Sequence, residues 1–310
     1  SCSTHDIRME ARAFHPDERT MRGRPWLRTA RDLAELTKPR VTVLVVVTEL
    51  LGVVVAPARL PLATLCGVLL STALAVGSAN TLNCYLERDS DRQMERTRNR
   101  PLPARRLAPE LAYCFGLALG AVALVWQLFS LGALTAGLTA LAIVVYVAVY
   151  TPLKRVSPIA LYAGAVPGAL PPVIGYCAAS GALELPAIAL SALLFVWQVP
   201  HFLAIALLRK HEYARAGLRT LPVVHGDGAA RVQIVAALAL LLPTSLWLMQ
   251  LGSAGRLYGA SATLLGMAWL SAALFGDSRS RAERWARRMF VASLLYISLL
   301  VAALLVDRLA

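Results

Sequence analysis

Charge is scarce in this 310-residue chain, with Asp, Glu, Lys and Arg making up only 16% of it, and acids are scarcer than bases at 18 against 31. Set beside 57% apolar residues and a mean hydropathy of +0.60, that shortage excludes an ordinary water-soluble globular protein and points to a membrane. Cysteine is sparse as well. Cys2, Cys66, Cys84, Cys114 and Cys177 show no CxxC spacing and four lie in or beside apolar stretches, so neither a disulfide framework nor a thiolate zinc site is indicated; they are small packing residues. No nucleic-acid module is legible, and the net charge of +13 is explained by membrane topology and contact with anionic headgroups. Residues 1–30 lack the apolar core of a secretory signal, and Asp6, Glu10, Asp17 and Glu18 speak against an organellar transit peptide. We expect a flexible cytoplasmic extension over residues 1–35 and a single membrane domain over 36–310, without internal repeats.

About nine apolar stretches have spanning length, roughly 20 residues each. They cover residues 41–56, 60–86, 107–127, 131–150, 159–179, 185–208, 232–251, 257–275 and 289–306. The first is short and holds Glu49, although Pro39 ahead of it suits the first turn of a helix. This arrangement sorts the basic residues: 28 of the 31 fall on one side, leaving Arg59, Arg256 and Arg308 on the other. Cytoplasmic loops carry the excess of Lys and Arg, so the N-terminus is expected in the cytoplasm. The fold class expected is all-α, polytopic, with the helices around a central cavity and a polar cap on the cytoplasmic side. Gly164, Pro167, Gly168, Pro171, Pro172 and Gly175 interrupt the fifth helix, which suits either cavity lining or close helix packing.

Chemistry concentrates at the end of the second stretch. Asn83, Glu87 and Asp91 recur every fourth residue, a spacing that places them on one helical face with Asn80 a turn earlier. Ionisable side chains beside a bilayer carry a desolvation cost, so such a cluster marks a functional site. Arg96, Arg98, Arg100, Arg105 and Arg106 follow at once, and carboxylates mixed with arginines suit a metal-bound polyphosphate. Asp89 points off this face in a continuous helix, but an unwound helix end would bring it to the metal as well. A second carboxylate stands after the sixth helix, at Glu212, and magnesium is commonly shared between one or two carboxylates and substrate phosphate. Lys154 and Arg155 follow a proline turn on the same side, and with Lys38, Arg40, Arg98 and Arg100 they make a candidate diphosphate pocket. Taken singly, any of these cations is equally well a positive-inside loop charge. A transporter is the rival reading from another class, but its ionisable residues belong deep in the bilayer, and only Glu49 and His201 lie so here.

The run from Asn83 to Pro103, containing Glu87-Arg88-Asp89-Ser90-Asp91 and Thr97-Arg98-Asn99-Arg100-Pro101-Leu102-Pro103, resembles the first signature of the protoheme IX farnesyltransferases, or heme O synthases. These form the heme branch of the UbiA-type intramembrane prenyltransferases. The resemblance extends to Leu36–Val41, Tyr150–Arg155, Trp197–Phe202, Tyr213–Gly217 and Leu221–Val224, covering about residues 36 to 306. The Asn-x3-acid-x3-Asp pattern alone marks the superfamily, whereas its conjunction with the later runs points to the heme branch. Three departures stand out. Ala216 occupies the place where the superfamily's second motif has another acid, Glu212 stands where the heme branch more often has Asp, and Arg219-Thr220 replaces a common Pro-Met pair.

The resemblance implies transfer of a farnesyl group from farnesyl diphosphate to a vinyl group of protoheme IX, with water addition, giving heme O. A quinone precursor or a chlorin is the alternative acceptor within the superfamily. On this reading Mg2+ is held by Glu87, Asp91 and Glu212, with Asp89 nearby; Asn83 orients a metal-bound water or a diphosphate oxygen, and Lys154 with the arginines grips the diphosphate. His201 and Trp197 are the expected heme contacts, His201 as ligand or orienter of the iron or in water delivery, although a satisfied polar residue and ordinary aromatic packing explain them as well. Heme A synthase is the expected downstream partner. The bacterial inner membrane is the expected location, with the mitochondrial inner membrane second.

Overall fold

The computed structural model describes residues 25–275 and 282–309. Every regular element among them is helical, as a bilayer demands of a chain whose backbone groups must pair within their own segment. The order is α1 (Pro25–Leu36), α2 (Pro39–Val55), α3 (Leu62–Asp91), α4 (Pro109–Ser130), α5 (Ala133–Leu153) and α6 (Ala160–Ser180). Then come α7 (Leu185–Leu208), two short helices α8 (Lys210–Arg215) and α9 (Leu221–Val224), α10 (Gly226–Gln250), α11 (Arg256–Phe275) and α12 (Ala282–Leu309).

Eight of these, α3 to α7 and α10 to α12, are long and apolar enough to cross a bilayer. The remaining apolar helix, α2, has 17 residues and begins at Pro39 as expected; at 1.5 Å per residue it reaches about 26 Å, the short limit of a span. Large apolar side chains on the outer faces stay uncovered, Phe129 at 83% and Phe275 at 87% exposure, because lipid tails are as apolar as a leucine core.

Neighbours in sequence pack as neighbours in space. Helix α3 lies along α4, α7 along α10, and α10, α11 and α12 pack in succession. The last helix returns to α7 and α2, which closes the ring, and Arg308 donates to the Val55 carbonyl at its outer end. The largest buried cluster fills the space among α2, α6, α7, α10, α11 and α12, with Leu203, Ile234, Leu241, Met289 and Leu300 at its centre.

Two helices depart from regularity near the polar end or the core. Helix α5 widens into a π-helical segment over Val145–Tyr150 just before Thr151 and Lys154, an irregularity found often at functional sites. Helix α6 breaks at Leu170, between Ala160–Ala169 and Pro171–Ser180. Glycines on both sides bring α6 against α2: a Cβ at Gly175 of α6 would meet the Glu49 carbonyl oxygen at 2.2 Å, and one at Gly52 of α2 would meet the Pro172 carbonyl oxygen at 1.8 Å. Between these backbones Glu49 is fully buried and accepts a hydrogen bond from Thr72 at 2.7 Å. Thr72 precedes Glu87 by four helical turns, about 22 Å, so Glu49 belongs to the helix packing and not to the charged end.

The expected extension over residues 1–35 is described from residue 25 onward. Residues 1–24 lie outside the described residues, but 25–35 form most of α1, which docks on the domain. Leu36 is buried with Cys84, Leu102, Leu107 and Ala112. Arg106 bonds Asp32 and Glu35, each at 3.0 Å, and the Asn99 carbonyl at 2.7 Å. This clasp ties α1 to the loop between α3 and α4.

Candidate active site

Helix α3 is 30 residues long, about 45 Å, and so outreaches a hydrocarbon core of about 30 Å. Its apolar part ends at Leu86, yet the helix continues to Asp91, carrying the polar face out of the bilayer. That face turns inward. Asn80, Asn83, Glu87 and Asp91 are 3%, 2%, 6% and 1% exposed. Asp89, whose phase differs, is 67% exposed in its side chain and pairs with Arg92 at 3.3 Å, so the structure does not bring it to the same place.

Each inward acid meets a cation from another segment. Asp91 pairs with Arg100 at 2.8 Å, and Glu87 forms an ion pair with Lys154. Asn83 joins two further segments of the site, accepting from the Lys38 ammonium at 3.1 Å and donating to the Thr151 hydroxyl at 3.0 Å. Asn80 donates to the Thr37 carbonyl at 3.1 Å, which anchors the turn before Lys38, itself in a left-handed conformation with φ of 51°. Arg155 donates to the Ser90 hydroxyl at 2.8 Å, and Thr97 donates to the Asp91 carbonyl at 2.9 Å. Arg40 and Arg98 are exposed.

The second loop reaches the same cluster. The Arg219 amide donates to the Lys154 carbonyl at 3.0 Å, and Met94 from the first loop packs with Ala216 and Leu218 against Tyr213. Glu212 sits in the first turn of α8. One of its oxygens faces Arg209 at 3.5 Å, while Oε1 is buried without a hydrogen-bond partner. Lys210, beside it, pairs with Asp227 at 2.8 Å.

The local field differs from cation to cation. Burial pushes the Lys38 ammonium below the usual lysine range, with Arg100 and Lys154 acting in the same direction and Glu87 against it. Burial also disfavours a charged Lys154, but Tyr150 and Glu87 beside it outweigh that and leave its affinity for a proton raised. Tyr213 is raised by burial, and Arg96 and Lys154 are among the charges it faces.

Among the described residues no three His, Cys, Asp or Glu side chains stand close enough to hold a metal by themselves. The unpartnered Glu212 oxygen and the Glu87 and Asp91 carboxylates are hard oxygen donors of the kind magnesium takes.

His201 and Trp197 lie apart from this cluster, on α7 where it faces α12. His201 is about 11 Å before the helix end at Leu208. Its ring stacks on Trp197 at 4.9 Å and lies 5.2 Å from Phe290, and its Nδ1 is 2.7 Å from the Ser293 hydroxyl.

Sequence reasoning missed Thr151, Thr97 and Ser293. Thr151 lies three residues before Lys154, within the Tyr150–Arg155 run, and that proximity is its only signal in the sequence; nothing local points to Ser293, whose partner His201 is 92 residues away.

A ring of membrane-spanning helices with a buried face of paired acids and bases at one end defines a multi-pass membrane enzyme with a charged site at the end of its helices. The chain belongs to the UbiA prenyltransferase family, whose profile matches residues 45–294. It is 46% identical over 279 residues to a protein of Myxococcus xanthus named protoheme IX farnesyltransferase, covering 90% of this chain and 95% of that one. A protein of the same name from Anaeromyxobacter sp. is 47% identical over 278 residues, covering 90% and 94%. Among solved structures, a digeranylgeranylglyceryl phosphate synthase superposes with a TM-score of 0.78 at 14% identity, covering 91% of this chain and 99% of that one. A UbiA homolog from Archaeoglobus fulgidus bound to DMAPP and Mg2+ gives 0.68 at 19% identity, covering 89% and 99%. At such identities these structures establish the fold.

Proposed function

We propose that this chain transfers the farnesyl group of farnesyl diphosphate to a vinyl group of protoheme IX, with addition of water, to make heme O. The observation that carries this reading is the inward face of α3, where Glu87 and Asp91 are buried against Lys154 and Arg100. The relatives named for this activity, 40–49% identical over most of the chain, supply the acceptor.

The reaction begins with cleavage of the allylic C–O bond, and the diphosphate leaves with the electron pair. Lys38, Lys154, Arg155, Arg98, Arg100 and Arg40, all at this end of the bundle, stabilise the charge that grows on its oxygens. Glu87, Asp91 and Glu212 are the residues that would hold Mg2+, which when bound adds positive charge at the leaving oxygens. Asn83, bonded to Lys38 and Thr151, ties the turn before α2 and the end of α5 to α3 beside them. The terminal vinyl carbon of the porphyrin attacks the allylic carbon. The cation left on the adjacent carbon, conjugated with the ring, takes up water and loses a proton, giving the hydroxyethylfarnesyl group.

The protoheme is placed against His201 and Trp197, a few turns below the charged end, and the farnesyl chain lies among the helices in a central cavity. The polar end faces the cytoplasm, as the 28 basic residues on that side argue. The location proposed is a bacterial inner membrane, with a heme A synthase as consumer of the product.

Purified protein given farnesyl diphosphate and Mg2+, with heme, a quinone precursor or a chlorin as acceptor in separate reactions, tests this by mass spectrometry. A product of heme O mass from heme alone supports the proposal. Product from another acceptor only, or no product from heme, rejects it.

A further inference from the structure

Two short contacts at Ser293 determine which nitrogen of His201 carries a proton. Ser293 lies on α12, is fully buried, and places its hydroxyl 2.5 Å from the Phe290 carbonyl of its own helix and 2.7 Å from His201 Nδ1 on α7. A serine hydroxyl has one proton to give, and a carbonyl oxygen can only accept. If that proton went to the histidine, two oxygen lone pairs would face each other at 2.5 Å with nothing between them. Only one assignment makes both contacts hydrogen bonds: Ser293 donates to Phe290, and His201 donates its Nδ1–H to Ser293. In the neutral imidazole this assignment leaves the lone pair on Nε2.

The ring is also held in orientation. Trp197 stacks on it with a 20° interplanar angle, and the Trp197 Nε1–H donates to the Ser293 carbonyl at 2.9 Å. Ser293 therefore fixes both the proton on His201 and the indole against which the imidazole lies. No group among the described residues bonds Nε2, and His201 remains partly exposed on a helix whose other polar contacts are satisfied.

We infer that Ser293 is a positioning residue which locks His201 in its Nδ1–H tautomer and presents the Nε2 lone pair to the iron of the bound porphyrin. This rests on the proposed role of His201 in holding protoheme. An iron-bound imidazole ordinarily donates its other N–H to an oxygen acceptor, which sets the ring and raises its donor strength, and loss of that partner typically weakens metal binding about 10- to 100-fold. Here the acceptor is a hydroxyl made electron-rich by its own donation to Phe290.

The full chain in nanodiscs is titrated with hemin, and the absorption spectrum and ferrous iron–imidazole stretching band are recorded for the native protein, His201→Ala, Ser293→Ala, Ser293→Cys and Ser293→Thr. The native protein is expected to show an imidazole-ligated spectrum that His201→Ala removes. Ser293→Ala and Ser293→Cys are expected to bind hemin about tenfold more weakly with the stretching band at lower frequency, and Ser293→Thr, which keeps an oxygen in place, to restore both. The cysteine variant preserves volume and stands in if the alanine variant does not fold. Native-like spectra and affinity in Ser293→Ala or Ser293→Cys, with ligation still lost in His201→Ala, overturn the role of Ser293. A native spectrum without imidazole ligation, unchanged in His201→Ala, overturns the underlying heme contact and this inference with it.

Discussion

The Glu87 carboxylate on α3 and the Lys154 ammonium just beyond α5 form an ion pair with side chains only 8% and 18% exposed. Two charges so placed have given up much of their hydration and depend on each other, so removing either leaves its partner uncompensated. The same holds for Asp91, 1% exposed, and Arg100. An arrangement of this kind in a resting enzyme keeps a cation beside each acid until an anionic ligand arrives to share it.

Glu87→Gln and Asp91→Asn are expected to lower heme O formation at least about 100-fold, as removal of groups that organise charge at a leaving oxygen does. Both keep the volume and much of the hydrogen bonding, so the folded protein should remain in the membrane fraction. Turnover by mass spectrometry, alongside melting in detergent, separates the two effects; near-normal turnover in both variants rejects the role assigned to this face.

Lys154→Ala should destabilise the protein, by about 3–5 kcal/mol if the pair behaves as a fully buried one and by less to the extent that water reaches it. The double variant Glu87→Gln, Lys154→Ala should recover part of that loss, because no uncompensated carboxylate remains. Thermal melting of the four proteins gives the coupling directly.

Lys38 carries a pH signature. Its folded-state pKa is lowered, so the ammonium is fully present only below the usual lysine range and is lost earlier than an exposed lysine's charge as pH rises. Binding of a diphosphate should therefore weaken on the alkaline side before Lys154, whose pKa is raised, begins to titrate. Lys38→Arg keeps its charge throughout and should move the alkaline limb of the kcat/KM profile upward. An unchanged limb removes Lys38 from the pocket.

Glu212→Gln should raise the Mg2+ concentration needed for half-maximal turnover about tenfold, given its buried, unpartnered oxygen. Asp89→Asn, on the exposed side of α3, should leave that requirement within about twofold, the range of a surface charge. The reverse outcome would exchange their roles.

The sequence carried the spans and the acidic face for a simple reason. Both are local: an apolar run of spanning length and a four-residue recurrence can be read without knowing what lies opposite. Partner choice cannot. Seven basic residues lie between Arg88 and Arg106, and nothing in their order says that Arg100 meets Asp91 while Arg106 reaches back to Asp32 and Glu35. For the same reason residues 25–35 read as a polar extension, although distant contacts dock them as α1. Gly175 in the sequence suits a cavity wall as well as a close crossing, and only the Glu49 backbone against it distinguishes the two.

That crossing has its own test. Gly52→Ala would drive a Cβ to 1.8 Å from the Pro172 carbonyl oxygen, so backbone must shift, and the protein should lose at least about 1–3 kcal/mol. Gly137→Ala, where an added Cβ meets nothing within 4 Å, is the control and should melt like the native protein.

The grip of the α3 face on a metal-bound diphosphate is tested most directly by calorimetry with a non-cleavable farnesyl thiodiphosphate, with and without Mg2+. The account predicts tight binding to the native protein only when Mg2+ is present. It also predicts at least tenfold weaker binding, about 1.4 kcal/mol, to Glu87→Gln and Asp91→Asn, with hemin affinity unchanged. Equal affinity of the native and variant proteins for the analogue in Mg2+ would contradict it.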